Sequence, residues 1–123
     1  MKKVYMAYGS NLNHLQMAER CPKAIYLGNT ILKGWRLIFK SVATIEKQIG
    51  ADVPVGLFEI SDQCEKALDA YEEYPKLYDK YKIDVKLHGT LVTAMSYIMV
   101  GNYGISPPSA KYFDVISEGY KNC

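Results

Sequence analysis

The apolar positions of this chain form short runs with the spacing of β-strands, separated by stretches with the spacing of helices. Apolar runs predict strands at 2–8, 24–32, 35–39, 53–60 and 91–100, and alternation with charged residues predicts another at 81–87. A turn at Lys33-Gly34 is expected to separate the second and third strands, and Pro54 places the start of the fourth near a sheet edge. The segment 41–52 fits neither pattern.

Helices are expected at 12–20, from Ser61 to before Pro75, and at 109–118. Ser61 can cap the second helix, and acidic residues in its first turn favour the positive end of the helix dipole. The residues predicted to face the core are Leu12, Leu15 and Met17 in the first helix, and Cys64, Ala67, Leu68 and Tyr71 in the second. A loop is predicted at 101–108.

The order of these elements indicates an α+β fold. Strands come first, helices are inserted between them, and there is no regular βαβ alternation. This order favours a mixed or mainly antiparallel sheet with helices packed outside it, and such a sheet can close into a small barrel. The chain has 123 residues, of which 49% are hydrophobic, so we expect a single domain over 1–123 with a real core.

Charge and cysteine content exclude several classes of function. The formal net charge is only +2 and the basic residues form no run, so nucleic acid is not an expected partner. The apolar run before Gly9 is too short for a signal peptide or a membrane span, and we expect a cytoplasmic protein. Cys21, Cys64 and Cys123 lack metal-ligand spacing and are expected to be free thiols. The two histidines have no acidic or Cys partner at ligand spacing, so no metal site is predicted.

The first candidate for chemistry is the turn between the first strand and the first helix. Gly9 can adopt a positive φ at no steric cost, and Ser10 and Asn11 can bond nearby backbone groups or cap the helix. Such a turn directs several N–H groups at one spot, which suits a carboxylate, a phosphate or an oxyanion. A plain strand-to-helix turn without a ligand explains the same residues.

The second candidate is Glu72, at the expected end of the second helix. Tyr71, Tyr74 and Tyr78 surround it in sequence, and a carboxylate in an aromatic setting is desolvated, which raises its pKa toward neutrality. Alternatively, Glu72 continues the i, i+4, i+7 series begun by two earlier acidic residues and simply lies on the solvated face of the helix.

Together these motifs resemble those of the γ-glutamylcyclotransferase family, which includes the AIG2-like and BtrG-like proteins. The sequence YGSNL at 8–12 is followed by LDxxE at 68–72, and then by a proline and a tyrosine at similar spacing. The block at 102–112 is similar to that of the γ-glutamylcyclotransferases proper. The resemblance extends over 4–118, nearly the whole chain.

The resemblance implies a small mixed-strand β-barrel with helices packed outside it. It also implies an enzyme that cleaves γ-glutamyl amides and needs no metal or cofactor. The substrate's α-amino group attacks its own γ-carbonyl, which releases 5-oxoproline and an amine, and a homodimer is plausible. Glu72 matches the catalytic glutamate, and Tyr97 and Tyr112 are expected to bond the substrate or Glu72, although both could be ordinary core tyrosines. The expected substrate-binding residues are Tyr5, Met6, Ala7, Tyr8, Gly9, Ser10, Asn11, Leu12, Tyr97 and Tyr112.

One residue departs from the family pattern, because Glu73 stands where members commonly have glycine. If the backbone there is left-handed, Glu73 costs about 1 kcal/mol more than glycine. The amine side of the substrate stays open, since it depends on variable segments such as 41–52. The alternative function is a non-catalytic binding module on the same fold. A chain ending at Cys123 is expected to be either a naturally short form or a truncated one.

Overall fold

The computed structural model describes residues 3–100 and 109–122 of the chain. Within these residues the elements are, in order, β1 (Lys3–Ala7), a 3-10 turn (Ser10–Leu12), α1 (His14–Arg20), β2 (Ile25–Lys40), β3 (Val42–Ile60), α2 (Asp62–Tyr71), β4 (Tyr78–Leu87), β5 (Thr90–Met99) and α3 (Ala110–Asn122). The loop predicted at 101–108 lies outside the described residues. No helix of the described chain has both the length and the apolar character needed to cross a membrane.

The strands form a mixed sheet in the order β2-β3-β1-β5-β4. β1 runs parallel to β5, and the other neighbouring strands are antiparallel. The predicted α+β class with a mainly antiparallel mixed sheet is therefore confirmed.

The two edge strands of this sheet, β2 and β4, curl toward each other. The hydroxyl of Thr30 on β2 donates to the carbonyl of Lys86 on β4 at 2.6 Å. In the described part of the chain, no backbone ladder joins these strands. The sheet is thus curved like a barrel but is not closed, which corrects the expectation of a complete barrel.

A long hairpin of β2 and β3 forms one side of the sheet, and the strand boundaries predicted within it are wrong. The predicted turn at Lys33-Gly34 is a bulge inside one continuous strand, since the register shifts between Lys33 and Trp35 and Gly34 has a φ of 84°. The reversal comes later, beside Ser41, whose φ is 67°. The segment 42–52, which had no clear pattern, is the beginning of β3.

The first helix begins later than predicted, and this rotates its buried face. Asn13 is the N-cap, accepting hydrogen bonds from the backbone N–H groups of Leu15 and Gln16 at 3.1 Å. Met17 is then buried, whereas Leu15 is 77% exposed. The prediction of Leu15 as a core residue is wrong for this reason. The prediction of Tyr71 as a core residue is also wrong, because Tyr71 ends α2, packs against Arg20 and is 40% exposed.

The cysteine prediction is wrong for two of the three residues. Cys21, which follows α1, forms a disulfide with Cys64 in the first turn of α2, with Cα atoms 5.1 Å apart. Both side chains belong to one hydrophobic cluster, so burial brings them together across a sequence separation of 43. Cys123 lies outside the described residues.

Candidate active site

A cavity of about 240 Å³ lies where the end of β1, the start of β3 and the end of α2 meet β5 and α3. The residues that line it are Tyr5, Tyr8, Gly9, Ser10, Asn11, Val42, Ala43, Tyr71, Glu72, Glu73, Leu77, Tyr78, Tyr97 and Tyr112. Six of these fourteen are tyrosines, so the wall is aromatic with polar tips.

Most of the residues predicted from the sequence line this cavity, and three do not. Glu72, Tyr97 and Tyr112 are brought together with Tyr5 and the segment 8–11. Met6, Ala7 and Leu12 belong instead to the hydrophobic core, each with 1% exposure or less. Because side chains alternate along a strand, Met6 packs in the opposite cluster from Tyr5.

The turn after β1 is a 3-10 turn, and its glycine is needed for space. Gly9 has a φ of −118°, so the turn does not use the positive φ that glycine allows. A Cβ at Gly9 would lie 3.3 Å from the Cβ of Ala43 on β3, tighter than ordinary contact. Within the turn, the N–H of Leu12 donates to the carbonyl of Gly9 and the N–H of Asn13 donates to that of Ser10, both at 3.0 Å. The N–H groups of residues 9–11 precede them and have no partner within the turn.

The end of α2 fixes the position of Glu72. The N–H of Tyr74 bonds to the carbonyl of Asp69 at 2.9 Å, and that of Glu73 bonds to Ala70 at 3.3 Å. This pair of bonds is a Schellman motif, in which the residue after the C-cap is left-handed. Glu73 occupies that position with a φ of 52°, so the backbone there is left-handed and the condition under which Glu73 costs more than glycine is met. Glu72 is the C-cap and reaches the cavity from the helix end.

Burial raises the pKa of Glu72 to about 7, and the positive charge of Arg20 opposes this shift. In the described chain, no side chain or backbone N–H donates a hydrogen bond to its carboxylate. The interpretation of a solvated acidic helix face is wrong. Glu65 on the same helix is 9% exposed and bonds Lys3 and Lys80.

The tyrosines of the wall are held by defined hydrogen bonds. Tyr8 donates to the backbone carbonyl of Tyr97 at 2.5 Å, and Tyr78 donates to that of Ala43 at 2.6 Å. Tyr112 accepts from the N–H of Ala43 at 3.1 Å. Burial raises the pKa of Tyr112 to about 12 and also raises the pKa values of Tyr8, Tyr78 and Tyr97. All four therefore carry their proton at neutral pH. Among the described residues, the Tyr97 hydroxyl bonds to Asp69 and the Tyr112 hydroxyl to Ala43, and neither bonds to Glu72.

Arg20 connects the first helix to the cavity wall. Its Nη1 donates to Asn11 Oδ1 at 2.6 Å, and Asn11 Nδ2 donates to the Tyr5 hydroxyl at 2.9 Å. The guanidinium also lies on the ring of Tyr71. Through these contacts Arg20 fixes which atoms Asn11 and Tyr5 present to the cavity.

Sequence reasoning missed the part of the wall contributed by Val42, Ala43 and Leu77. Val42 and Ala43 lie in the segment that had no clear pattern, and no residue type there indicates a site. Among the described residues, no three His, Cys, Asp or Glu side chains are grouped so that they could hold a metal ion.

A family model described as gamma-glutamyl cyclotransferase, AIG2-like, matches residues 5–119. The chain belongs to this family. The match includes the whole cavity wall, from Tyr5 to Tyr112. A comparison with curated proteins found no significant match.

Solved structures agree with this membership in the gamma-glutamyl cyclotransferase family. A structure named gamma-glutamyl cyclotransferase has a TM-score of 0.90 and 27% identity, covering 98% of this chain and 79% of the other. An uncharacterized human protein, loc79017, has a TM-score of 0.89 and 28% identity with the same coverage. YkqA from Bacillus subtilis shares the fold, with a TM-score of 0.83, 21% identity, and coverage of 98% of this chain and 48% of its own.

Proposed function

We propose that this protein is a γ-glutamylcyclotransferase that cleaves γ-glutamyl amides into 5-oxoproline and a free amine. The observation that carries the proposal is the position of Glu72, a carboxylate with a pKa of about 7, on a cavity lined by tyrosines. The family membership supports the same reaction class.

Glu72 is suited to activate the substrate's α-amino group. An α-ammonium group has a pKa of about 8 and is mostly protonated at neutral pH, so it cannot attack until it loses a proton. An ordinary glutamate, with a pKa near 4.3, is a weak base for this step. Burial brings the pKa of Glu72 to about 7, and the proton transfer becomes nearly balanced.

The rest of the reaction exchanges one C–N bond for another. The free α-nitrogen attacks the γ-carbon, and negative charge develops on the γ-carbonyl oxygen. The N–H groups of Gly9, Ser10 and Asn11 are the donors proposed to stabilise this oxygen. The amide C–N bond then breaks. The two protons lost by the α-ammonium pass through Glu72 to the leaving nitrogen, which departs as an ammonium ion.

The cavity also contributes by folding the substrate. Ring closure is intramolecular, and holding the two reacting atoms in contact can lower the barrier by about 7–11 kcal/mol. A cavity of about 240 Å³ accommodates a bent γ-glutamyl group and leaves the amine portion at the opening. Glu73, which is exposed, lies on this wall.

The test is release of 5-oxoproline from a panel of γ-glutamyl amides, which includes γ-glutamyl-alanine, ε-(γ-glutamyl)-lysine and γ-glutamyl-methylamide. The native protein is expected to release 5-oxoproline from at least one of them. Glu72→Gln is expected to lose at least about 100-fold in rate, because the general base is removed. Glu19→Gln makes the same change at an exposed position of α1 and is expected to retain the native rate. No release from any amide would contradict the proposal and favour a non-catalytic binding module.

A further inference from the structure

Behind the cavity wall, four charged side chains from β1, α2 and β4 form a cluster, named here the Lys80 cluster: Lys3, Glu65, Asp69 and Lys80. The Nζ atom of Lys80 lies 2.7 Å from Glu65 Oε2 and 3.1 Å from Asp69 Oδ2. Lys3 Nζ lies 2.5 Å from the other oxygen of Glu65. The Lys80 side chain is 21% exposed and that of Glu65 is 11% exposed, so this ion pair is partly shielded from water, whereas the Lys3 side chain is 46% exposed. Partial burial acts to lower the pKa of Lys80, but its hydrogen bonds to the two carboxylates raise it above its usual value.

Asp69 connects the Lys80 cluster to the cavity. Its Oδ1 accepts a hydrogen bond from the Tyr97 hydroxyl at 2.6 Å, and Lys80 Nζ lies close to both carboxylate oxygens, 3.0 Å from Oδ1 and 3.1 Å from Oδ2. Tyr97 itself lines the cavity and is 2% exposed. A tyrosine hydroxyl has one proton, and Tyr97 uses its proton to donate the hydrogen bond to Asp69. The lone pairs of Tyr97 Oη that remain can only accept hydrogen bonds.

Tyr112, also on the cavity wall, has the opposite character. Its hydroxyl oxygen accepts a hydrogen bond from the backbone N–H of Ala43 at 3.1 Å. Its own proton has no acceptor among the described residues, so it is available to a ligand. The two tyrosines are chemically identical, but Tyr97 offers the cavity an acceptor and Tyr112 offers it a donor.

We propose that Asp69, held by Lys80, is a positioning residue that fixes Tyr97 as a hydrogen-bond acceptor for the α-amino group of the substrate, with Tyr112 as a donor to a substrate oxygen. This inference rests on the proposed function. Tyr97 is the residue that touches the substrate, and Asp69 acts through it.

The direction of the Tyr97 hydroxyl matters for the attack. Once Glu72 has taken a proton, the α-amino nitrogen has one lone pair, and that lone pair must face the γ-carbon. An acceptor at Tyr97 bonds an N–H of the amine and leaves the lone pair free. A donor at the same place would bond the lone pair and compete with the attack. Because the Tyr97 hydroxyl points its proton toward Asp69, it cannot donate to the amine, and this prevents the competition.

The test measures binding in the Glu72→Gln background, where turnover does not interfere. The ligands are γ-glutamyl-alanine and its α-desamino analogue, N-glutaryl-alanine, and the method is titration calorimetry. Tyr97→Phe and Asp69→Asn are each expected to weaken γ-glutamyl-alanine binding about 10-fold, the usual effect of one hydrogen bond to a charged group. Both variants are expected to change the affinity for the desamino analogue by less than about 2-fold, since the analogue lacks the amino group from which Tyr97 accepts a hydrogen bond. Asp114→Asn, at an exposed position of α3, serves as the matched control and is expected to change neither affinity.

A double variant separates a positioning role from a general structural one. If Asp69 acts through Tyr97, Asp69→Asn adds no further loss to Tyr97→Phe. Additive losses, or equal losses for both ligands, would overturn the inference. If Asp69→Asn fails to fold, Asp69→Asn combined with Lys80→Met removes both charges of the pair and leaves neither uncompensated, and the same ligand comparison applies. Binding of neither ligand by the Glu72→Gln protein, together with no release of 5-oxoproline from any amide of the panel by the native protein, would overturn the proposed function itself.

Discussion

The guanidinium of Arg20 lies over the ring of Tyr71, with its carbon 3.4 Å from the ring centroid. This stacking holds a positive charge beside the buried carboxylate of Glu72, whose pKa it lowers against the larger effect of burial. The same guanidinium orients Asn11. The balance between burial and this one cation therefore determines at which pH Glu72 can act as a base.

Removing the charge of Arg20 is expected to move the acidic limb of the pH–rate profile upward. In Arg20→Met, burial acts on Glu72 without opposition, so its pKa rises above about 7. Because the deprotonated form is the base, activity then appears at a higher pH, by on the order of 0.5 unit. The measurement is kcat/KM for 5-oxoproline release between pH 5 and 9. Arg20→Lys keeps the charge and should keep the limb near its native position; equal limbs in native and Arg20→Met protein would contradict the account.

Glu73→Gly is expected to stabilise the protein. Glu73 has a φ of 52° at the position of the Schellman motif that glycine usually occupies. Glycine removes the steric cost of the left-handed backbone, with a net gain of about 1 kcal/mol in the free energy of unfolding. Urea denaturation at constant pH measures this difference. Glu118→Gly, inside α3, should instead destabilise by about 1 kcal/mol. A loss of stability in Glu73→Gly would mean that the Glu73 side chain makes a stabilising contact.

The buried carboxylate of Glu72 should make stability fall between about pH 4.5 and pH 7. Its folded pKa is about 7, against about 4.3 for a glutamate in the unfolded chain. In this window the folded protein binds more protons than the unfolded chain, so raising the pH favours unfolding. Glu72→Gln removes this dependence. The free energy of unfolding of Glu72→Gln minus that of native protein should increase by up to about 3 kcal/mol as the pH rises through this window. Above the window the difference should stay constant. Glu19→Gln should show a constant difference from native protein at every pH.

The Cys21–Cys64 disulfide should make stability depend on reductant. The bond links the end of α1 to the start of α2 across a separation of 43 residues. Reduction is expected to lower the free energy of unfolding by about 2–4 kcal/mol, because the unfolded chain regains freedom. The double variant Cys21→Ala and Cys64→Ala should not respond to reductant. An equal response of native and double-variant protein would contradict this expectation, and thiol counting by mass spectrometry identifies the bonded pair.

The sequence predicts those parts of the site that depend on residues close together in the chain. The raised pKa of Glu72 could be expected from its place at a helix end among tyrosines, and the predicted α+β class follows from the order of strands and helices. The seven other predicted residues that line the cavity lie on short motifs, or were located by resemblance.

The parts that the sequence does not reveal depend on contacts between distant residues. Asp69 and Tyr97 are 28 residues apart, and no local pattern indicates that one bonds the other. The disulfide is hidden in the same way. Leu15 was misassigned because the N-cap is Asn13, which rotates the helix face, and Gly34 because a bulge glycine and a turn glycine look alike in sequence.

The central claim is that Glu72 is the base for cyclisation of a γ-glutamyl group. It is tested most directly by the pH dependence of 5-oxoproline release from the best γ-glutamyl amide of the panel, with native and Glu72→Gln proteins measured together. The native rate is expected to rise with pH through a limb near 7, and release by Glu72→Gln is expected to be at least about 100-fold lower near neutral pH and to lack this limb. A Glu72→Gln protein with the native rate and the native limb would contradict it.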